Sequence, residues 1–147
     1  MTTPTDQNAA QTPSAADIAL GRDTLLAHLG IRVTEAGPTR VVATMPVESR
    51  VHQPFGVLHG GASVALAESV ASIGAYMNVR ERGMIAVGQE INANHLRSVA
   101  SGTVTATATP VFQGRTSEVW QIEIVDERGK AVCVSRCTLA VIAPPSR

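Results

Sequence analysis

Glu68, Ser72, His59, Gln53 and the Gly60-Gly61 pair bring an acid, a hydroxyl, an imidazole, an amide and two exposed-backbone residues into one short stretch of chain. Glu68 interrupts ASVALAESVASIGAYMNV, a run that is otherwise almost wholly apolar or small. A carboxylate in such a run must be paired, hydrogen-bonded or protonated, because an isolated buried charge costs several kcal/mol. It is therefore either a structural ion-pair partner facing a gap in its surroundings or a functional acid with a perturbed pKa. Ser72 lies one helical turn further on, on the face that carries Glu68. His59-Gly60-Gly61 stands where the helix opens. Free N–H groups and the positive end of the helix dipole there suit a carbonyl oxygen that gains negative charge. Glycine lets a ligand approach that backbone closely, though the same pair would also make a tight corner from loop to helix.

The spacing constrains how these groups could cooperate. Gly60 and Glu68 are separated by about 12 Å of helix. One carbonyl carbon cannot meet the Glu68 carboxylate and the Gly60 N–H of the same chain. If both act on one substrate they come from two chains, as in a dimer with antiparallel central helices.

The elements that must hold these residues can be read from hydrophobic periodicity. Residues 1–16 are a polar tail rich in Thr, Pro, Gln and Ser. A short amphipathic helix follows over 17–29, with Asp17 as N-cap and Gly30 as its stop. IRVTEA and TRVVATMPV read as strands about the Gly37-Pro38 turn, and ESRVHQPFGVLHGG as a loop into the long helix. MIAVGQEINANHLR, TVTATATPVFQ, TSEVWQIEIVDE and KAVCVSRCTLAVI are four further strands. In the third of these, Trp120, Ile122 and Ile124 alternate with Gln121 and Glu123, the period of a half-buried antiparallel strand. Residues 17–143 thus form a single α+β domain: a curled antiparallel sheet wrapped around one long central helix, apolar on nearly every side. Residues 144–147 close it as a frayed end.

Composition narrows the function classes. With 147 residues the chain can bury a core without disulfides or metal. Twelve basic and twelve acidic residues cancel, and aromatics are 3%, which argues against a nucleic-acid binder. No signal peptide or membrane-spanning run is visible, so a soluble, cytoplasmic protein is expected. Cys133 and Cys137 lie about 13 Å apart on one strand, too far for a disulfide, and read as structural thiols. His28, His52, His59 and His95 lack metal-ligand spacing, so neither a metal nor a cofactor is expected.

HQPFGVLHGGASVALAES, EINANHLRS and VWQIEI together resemble the hotdog-fold acyl-CoA thioesterases, over about 39–142. The resemblance is greatest to the branch containing the 1,4-dihydroxy-2-naphthoyl-CoA and enterobactin proofreading thioesterases. The 4-hydroxybenzoyl-CoA class with a helix glutamate is more distant. The resemblance implies a hotdog fold and hydrolysis of an acyl-CoA. It makes Glu68 the nucleophile or general base and Gly60 the oxyanion donor. Gln53 and His59 would orient the thioester and its water, with His59 a donor to the leaving thiolate, and Ser72 would stand beside the glutamate. Coenzyme A contacts fall by the same resemblance on Gly88, on His95, Leu96, Arg97 and Ser98, and on Gly114, Arg115 and Thr116. Arg97 and Arg115 are suited to phosphate. Phe112 replaces a histidine usual in the naphthoyl-CoA members, and Arg115-Thr116 replaces their Ser-Arg order. The resemblance further implies an aryl-CoA substrate, 1,4-dihydroxy-2-naphthoyl-CoA first and hydroxybenzoyl-CoA next, with an aryl-carrier-protein thioester or a medium-chain acyl-CoA as alternatives. It also implies a homotetramer of two such dimers, with no nucleic-acid or membrane partner. Ala65, Ala71, Gly74 and Ala75 of the helix would leave room for the acyl group. A hotdog dehydratase and a non-catalytic acyl-CoA-binding protein are the competing readings. The first is disfavoured by the lack of a Pro-rich run around His59, the second by the intact Glu68, Gln53, His59 and Ser72.

Overall fold

The structure is a computed structural model, and it describes residues 23–145. Asp17 and the tail through residue 16 lie outside the described residues, as do the last two residues of the C-terminal end. In chain order the elements are α1 (Leu25–Leu29), β1 (Arg32–Ala36), β2 (Val41–Pro46), α2 (Gly60–Val79), β3 (Ile85–His95), β4 (Thr103–Gln113), β5 (Ser117–Val125) and β6 (Ala131–Ile142). Short 3-10 turns at Ser49–Val51 and Arg80–Arg82 flank the α2 region.

One six-stranded antiparallel sheet runs in the order β1-β2-β4-β5-β6-β3. It curls around α2, which packs against β2, β3, β4, β5 and β6. This is the hotdog architecture expected from the alternating strands and the single apolar helix. Period-two burial is plain in β2, where Val41, Ala43 and Met45 are buried, and in β5, where Glu118, Trp120, Ile122 and Ile124 are. These side chains meet Leu66, Ala67, Val70, Ala71, Ile73 and Ala75 of α2 to form the core. A Cβ at Gly74 would come within 2.4 Å of the Trp120 ring, so glycine is what lets the helix sit down on the indole.

Four expectations need correction. The first helix is shorter than 17–29 within the described residues: it begins at Leu25, capped by the Thr24 hydroxyl, after Asp23 in a left-handed conformation. Asp23 there breaks a continuous helical path. The long helix starts at Gly60, two residues earlier than its apolar pattern suggested. Its nearly all-round apolar character suggested protein on most sides, yet Val64, Ala65, Glu68, Ser69, Ser72 and Tyr76 are only partly buried. The sheet covers one face of α2 and leaves the other accessible. Ala71, Gly74 and Ala75 are buried against that sheet and leave no room for a ligand. No helix of the described residues is long and apolar enough to cross a membrane.

Candidate active site

The loop before α2 is built by short-range bonds. His52 bridges to Leu58, the Gln53 N–H donates to the Val57 carbonyl and the Gly56 N–H to the Gln53 carbonyl. Gly56 takes a positive φ of 77° at this reversal. The Gln53 side-chain oxygen accepts from the Phe55 N–H, which leaves its amide NH2 to donate elsewhere.

Capping of α2 makes Gly60 special. His59 Nδ1 accepts from the Gly61 N–H at 2.8 Å, and the His59 carbonyl accepts from Ala62 and Ser63. Among the described residues no acceptor meets the Gly60 N–H. The first turn of a helix always exposes such donors, and here the cap consumes its neighbours and spares this one. With Nδ1 accepting, a neutral His59 ring carries its proton on Nε2. His95 packs its ring against Gly60, so closely that a Cβ would lie 2.7 Å from Nε2.

Gln53, Gly60, His95, Leu96, Arg97 and Ser98 share one cavity of about 310 Å³, together with Ser63, which is buried in the first turn of α2. Glu68 and Ser72 line a different cavity, of about 410 Å³, with Leu25, Leu26, Ala65, Ser69 and Ile73. His59 lines a third with Arg50 and Leu29. Gly88 lies against Glu68, where a Cβ would come within 2.1 Å of Oε1. Gly114, Arg115 and Thr116 form the β4–β5 turn, with the Gly114 N–H donating to the Ser117 carbonyl and the Phe112 ring folded over Gly114.

The sheet register shows how far apart these groups are. Gly88 pairs with Leu139, which pairs with Glu118 beside the β4–β5 turn, whereas His95 pairs with Cys133 at the far end. From Gly88 to His95 is about 23 Å along β3. One end of the sheet therefore holds Gln53, Gly60 and His95–Ser98, and the other holds Glu68, Ser72, Gly88 and the Gly114–Thr116 turn. A single chain does not unite the expected site.

Electrostatics separates the thiols from this chemistry. Burial pushes the Cys137 thiol up to about 12, and the charges of Glu68 and Glu90 add to it. Burial raises Cys133 as well. Both are free and inward-facing on β6. The Asp126 carboxyl is held below its ordinary value chiefly by the Lys130 backbone N–H, helped by the Arg128 N–H and the Arg97 charge. No cluster of three or more metal-ligating side chains occurs among the described residues.

Sequence reasoning missed Ser63, Leu25 and Leu26 as lining residues. A signal existed for Ser63, which lies one turn inside the helix from Gly60. None existed for the leucines, which reach Glu68 only through the chain reversal at Gly30.

One curled antiparallel sheet around a single long helix is the architecture of the hotdog thioesterases. The chain belongs to the thioesterase superfamily, which its residues 55–133 match. It is 49% identical to the proofreading thioesterase EntH of Cronobacter turicensis, over 81% of this chain and 86% of that one. Identity to the 1,4-dihydroxy-2-naphthoyl-CoA hydrolase of Escherichia coli is 48%, over 84% of this chain and 90% of the other. A crystal structure of a thioesterase from Haemophilus influenzae superposes with a TM-score of 0.84 at 49% identity, covering 90% of this chain and 93% of that chain.

Proposed function

We propose that this thioesterase hydrolyses an aryl-CoA, with 1,4-dihydroxy-2-naphthoyl-CoA first among candidates, in active sites shared between two chains. The observation that carries the shared site is that the Gly60 N–H and the Glu68 carboxylate line separate cavities. β3 is an edge strand of eleven residues with no neighbour beyond it among the described residues. Such an edge is a template for pairing with a second copy. Antiparallel pairing about its middle brings His95 of one chain toward Gly88 of the other, and with them Gly60 toward the second Glu68. The dimer then pairs into the tetramer that the resemblance implies.

In this arrangement the acyl carbonyl accepts a hydrogen bond from the Gly60 N–H, polarised by the helix terminus. Glu68 of the second chain either attacks the carbonyl carbon, giving a mixed anhydride and releasing the CoA thiolate, or removes a proton from an attacking water. Gln53 and His59 have side-chain N–H donors for the thioester and its water. Ser72 stands one turn from Glu68. His95, Leu96, Arg97 and Ser98 of the first chain hold coenzyme A, joined by Gly88, Gly114, Arg115 and Thr116 of the second.

The aryl preference rests on the relative from Escherichia coli, which is named for that substrate. A thioester on an aryl carrier protein is the second reading, and it rests on the resemblance to the enterobactin proofreading branch; a relative named as a proofreading thioesterase is 49% identical. Thiol release from a panel of dihydroxynaphthoyl-, benzoyl-, 4-hydroxybenzoyl-, hexanoyl- and palmitoyl-CoA decides the acyl class. A carrier-protein arm decides the carrier. Highest kcat/KM on the naphthoyl thioester supports the proposal, and a preference for hexanoyl or for the carrier overturns it. Single turnover in ¹⁸O-water separates the routes, since label in Glu68 requires the anhydride.

A further inference from the structure

The cavity that holds Glu68 and Ser72 is bounded on its outer side by α1 rather than by the sheet. Leu25 and Leu26 form that wall, opposite Ala65 and Ile73 of α2. Leu25 is 58% exposed although it is a large apolar side chain, so its position is not explained by the core. It also lines the neighbouring cavity of about 350 Å³, which contains Arg50 and His59. Ala65 is the α2 residue common to both cavities. The Leu25 side chain is thus the partition between two adjoining grooves.

α1 is held in place by contacts that leave this partition standing. The Gly30 cap returns two bonds to α1, and Arg50 Nη1 donates to the His28 carbonyl at 3.3 Å. Arg50 in turn pairs with Glu48.

We infer that Leu25 sets the size of the acyl slot, and that α1 is a specificity element for the hydrolysis. This rests on the shared-site reading above. The occupant follows from complementarity. Coenzyme A is polar and anionic, and the cavity at Gly60 and His95–Ser98 offers Arg97, Ser98 and backbone donors. The acyl part is apolar, and the cavity beside the reacting carboxylate offers Leu25, Leu26, Ala65 and Ile73. A dry cavity of about 150 Å³ lined by apolar side chains already accepts a benzene ring. The groove at Glu68 has room for a ring or a medium chain, and removing the partition would open it into the second groove.

The test compares Leu25→Ala and Leu25→Trp with wild type, using kcat/KM for acetyl-, butyryl-, benzoyl-, hexanoyl-, decanoyl- and 2-naphthoyl-CoA. Leu25→Trp is expected to lower the hexanoyl, decanoyl and naphthoyl values at least tenfold relative to butyryl. Leu25→Ala is expected to raise decanoyl relative to butyryl by threefold or more. Acetyl-CoA, too short to reach the partition, is expected to change less than twofold. Acyl-CoA dissociation constants on a Glu68→Gln background provide the same ratios without turnover. Ratios unchanged in both variants, or a loss spread equally over all acyl groups, overturn the inference. Absence of thiol release from every thioester by wild type would instead count against the substrate reading, and the binding ratios would still decide the role of Leu25.

Discussion

Glu68 and Glu118 both lie where α2 meets the sheet, and the fold treats them in opposite ways. Glu118 is fully buried on β5, and its two oxygens accept from the Trp120 indole N–H at 2.8 Å and the Asn78 amide at 2.6 Å. Those donors tie the C-terminal part of α2 to the sheet. Glu68 is only partly buried, borders a cavity, rests against the bare backbone of Gly88 and receives no side-chain donor among the described residues. A carboxylate whose lone pairs are occupied by fixed neutral donors is a structural group. One that is kept free beside a hole is available to a substrate. Hydrogen bonding, more than depth alone, distinguishes the two roles.

Substitution at both positions breaks the comparison most directly. Glu68→Ala should lower kcat/KM for the best acyl-CoA by about a hundredfold or more, the usual loss for an acid–base or nucleophilic group, while thermal unfolding barely shifts. Loss of folding with loss of activity would make Glu68 structural after all. Glu118→Ala should do the reverse. It strands the buried Trp120 indole N–H and the partly buried Asn78 amide, and urea unfolding should show a cost of about 3 kcal/mol, with kcat in the remaining folded protein close to wild type. Glu118→Gln, which still accepts through its amide oxygen, should recover about half of that.

Gly88 sharpens the contrast at smaller scale. Its backbone is not in the left-handed region, so alanine is tolerated there, but the new Cβ would displace the Glu68 carboxylate. Gly88→Ala is expected to cost between about tenfold and a hundredfold in kcat at nearly unchanged stability, because misplacement of a reacting group by about an ångström has that effect. Stability falling while kcat holds would mean that the carboxylate simply swings aside.

The smallest effect concerns Cys137, which shares a neighbourhood with Glu68 but not its access. Its folded pKa is raised from 9.0 to about 12, first by burial and then by the two glutamates. The folded state therefore binds the thiol proton more tightly than the unfolded chain does. This contribution to stability is constant below about pH 9 and declines as pH rises from 9 toward 12. A pH series of denaturant midpoints should show that decline, and Cys137→Ala should flatten it. The same burial predicts that thiol reagents label the folded protein only at the rate at which it opens.

Much of the fold was legible because its signals are local. Alternation in VWQIEI, the apolar run after Gly60-Gly61 and the turn at Gly37-Pro38 mark strands, helix and reversals within a few residues of one another. The roles proposed for Gly60 and Glu68 come from residue type and from a spacing that no single helix can reconcile. Glu118 escaped notice because a glutamate at the head of an alternating strand reads as solvent-facing. Only Trp120 two residues on, facing the same way, could have indicated otherwise.

The chain alone determined the element order, the inward faces of the strands and the distance along α2 between donor and carboxylate. Each of these follows from covalent spacing and the periods of helix and strand. Tertiary structure decided the rest: that His59 spends Nδ1 on its own helix, that His95 covers Gly60, that Gly88 makes space for Glu68, and that Leu25 stands between two grooves. These depend on which surfaces the curled sheet brings together across long stretches of chain, and no local periodicity encodes such a meeting.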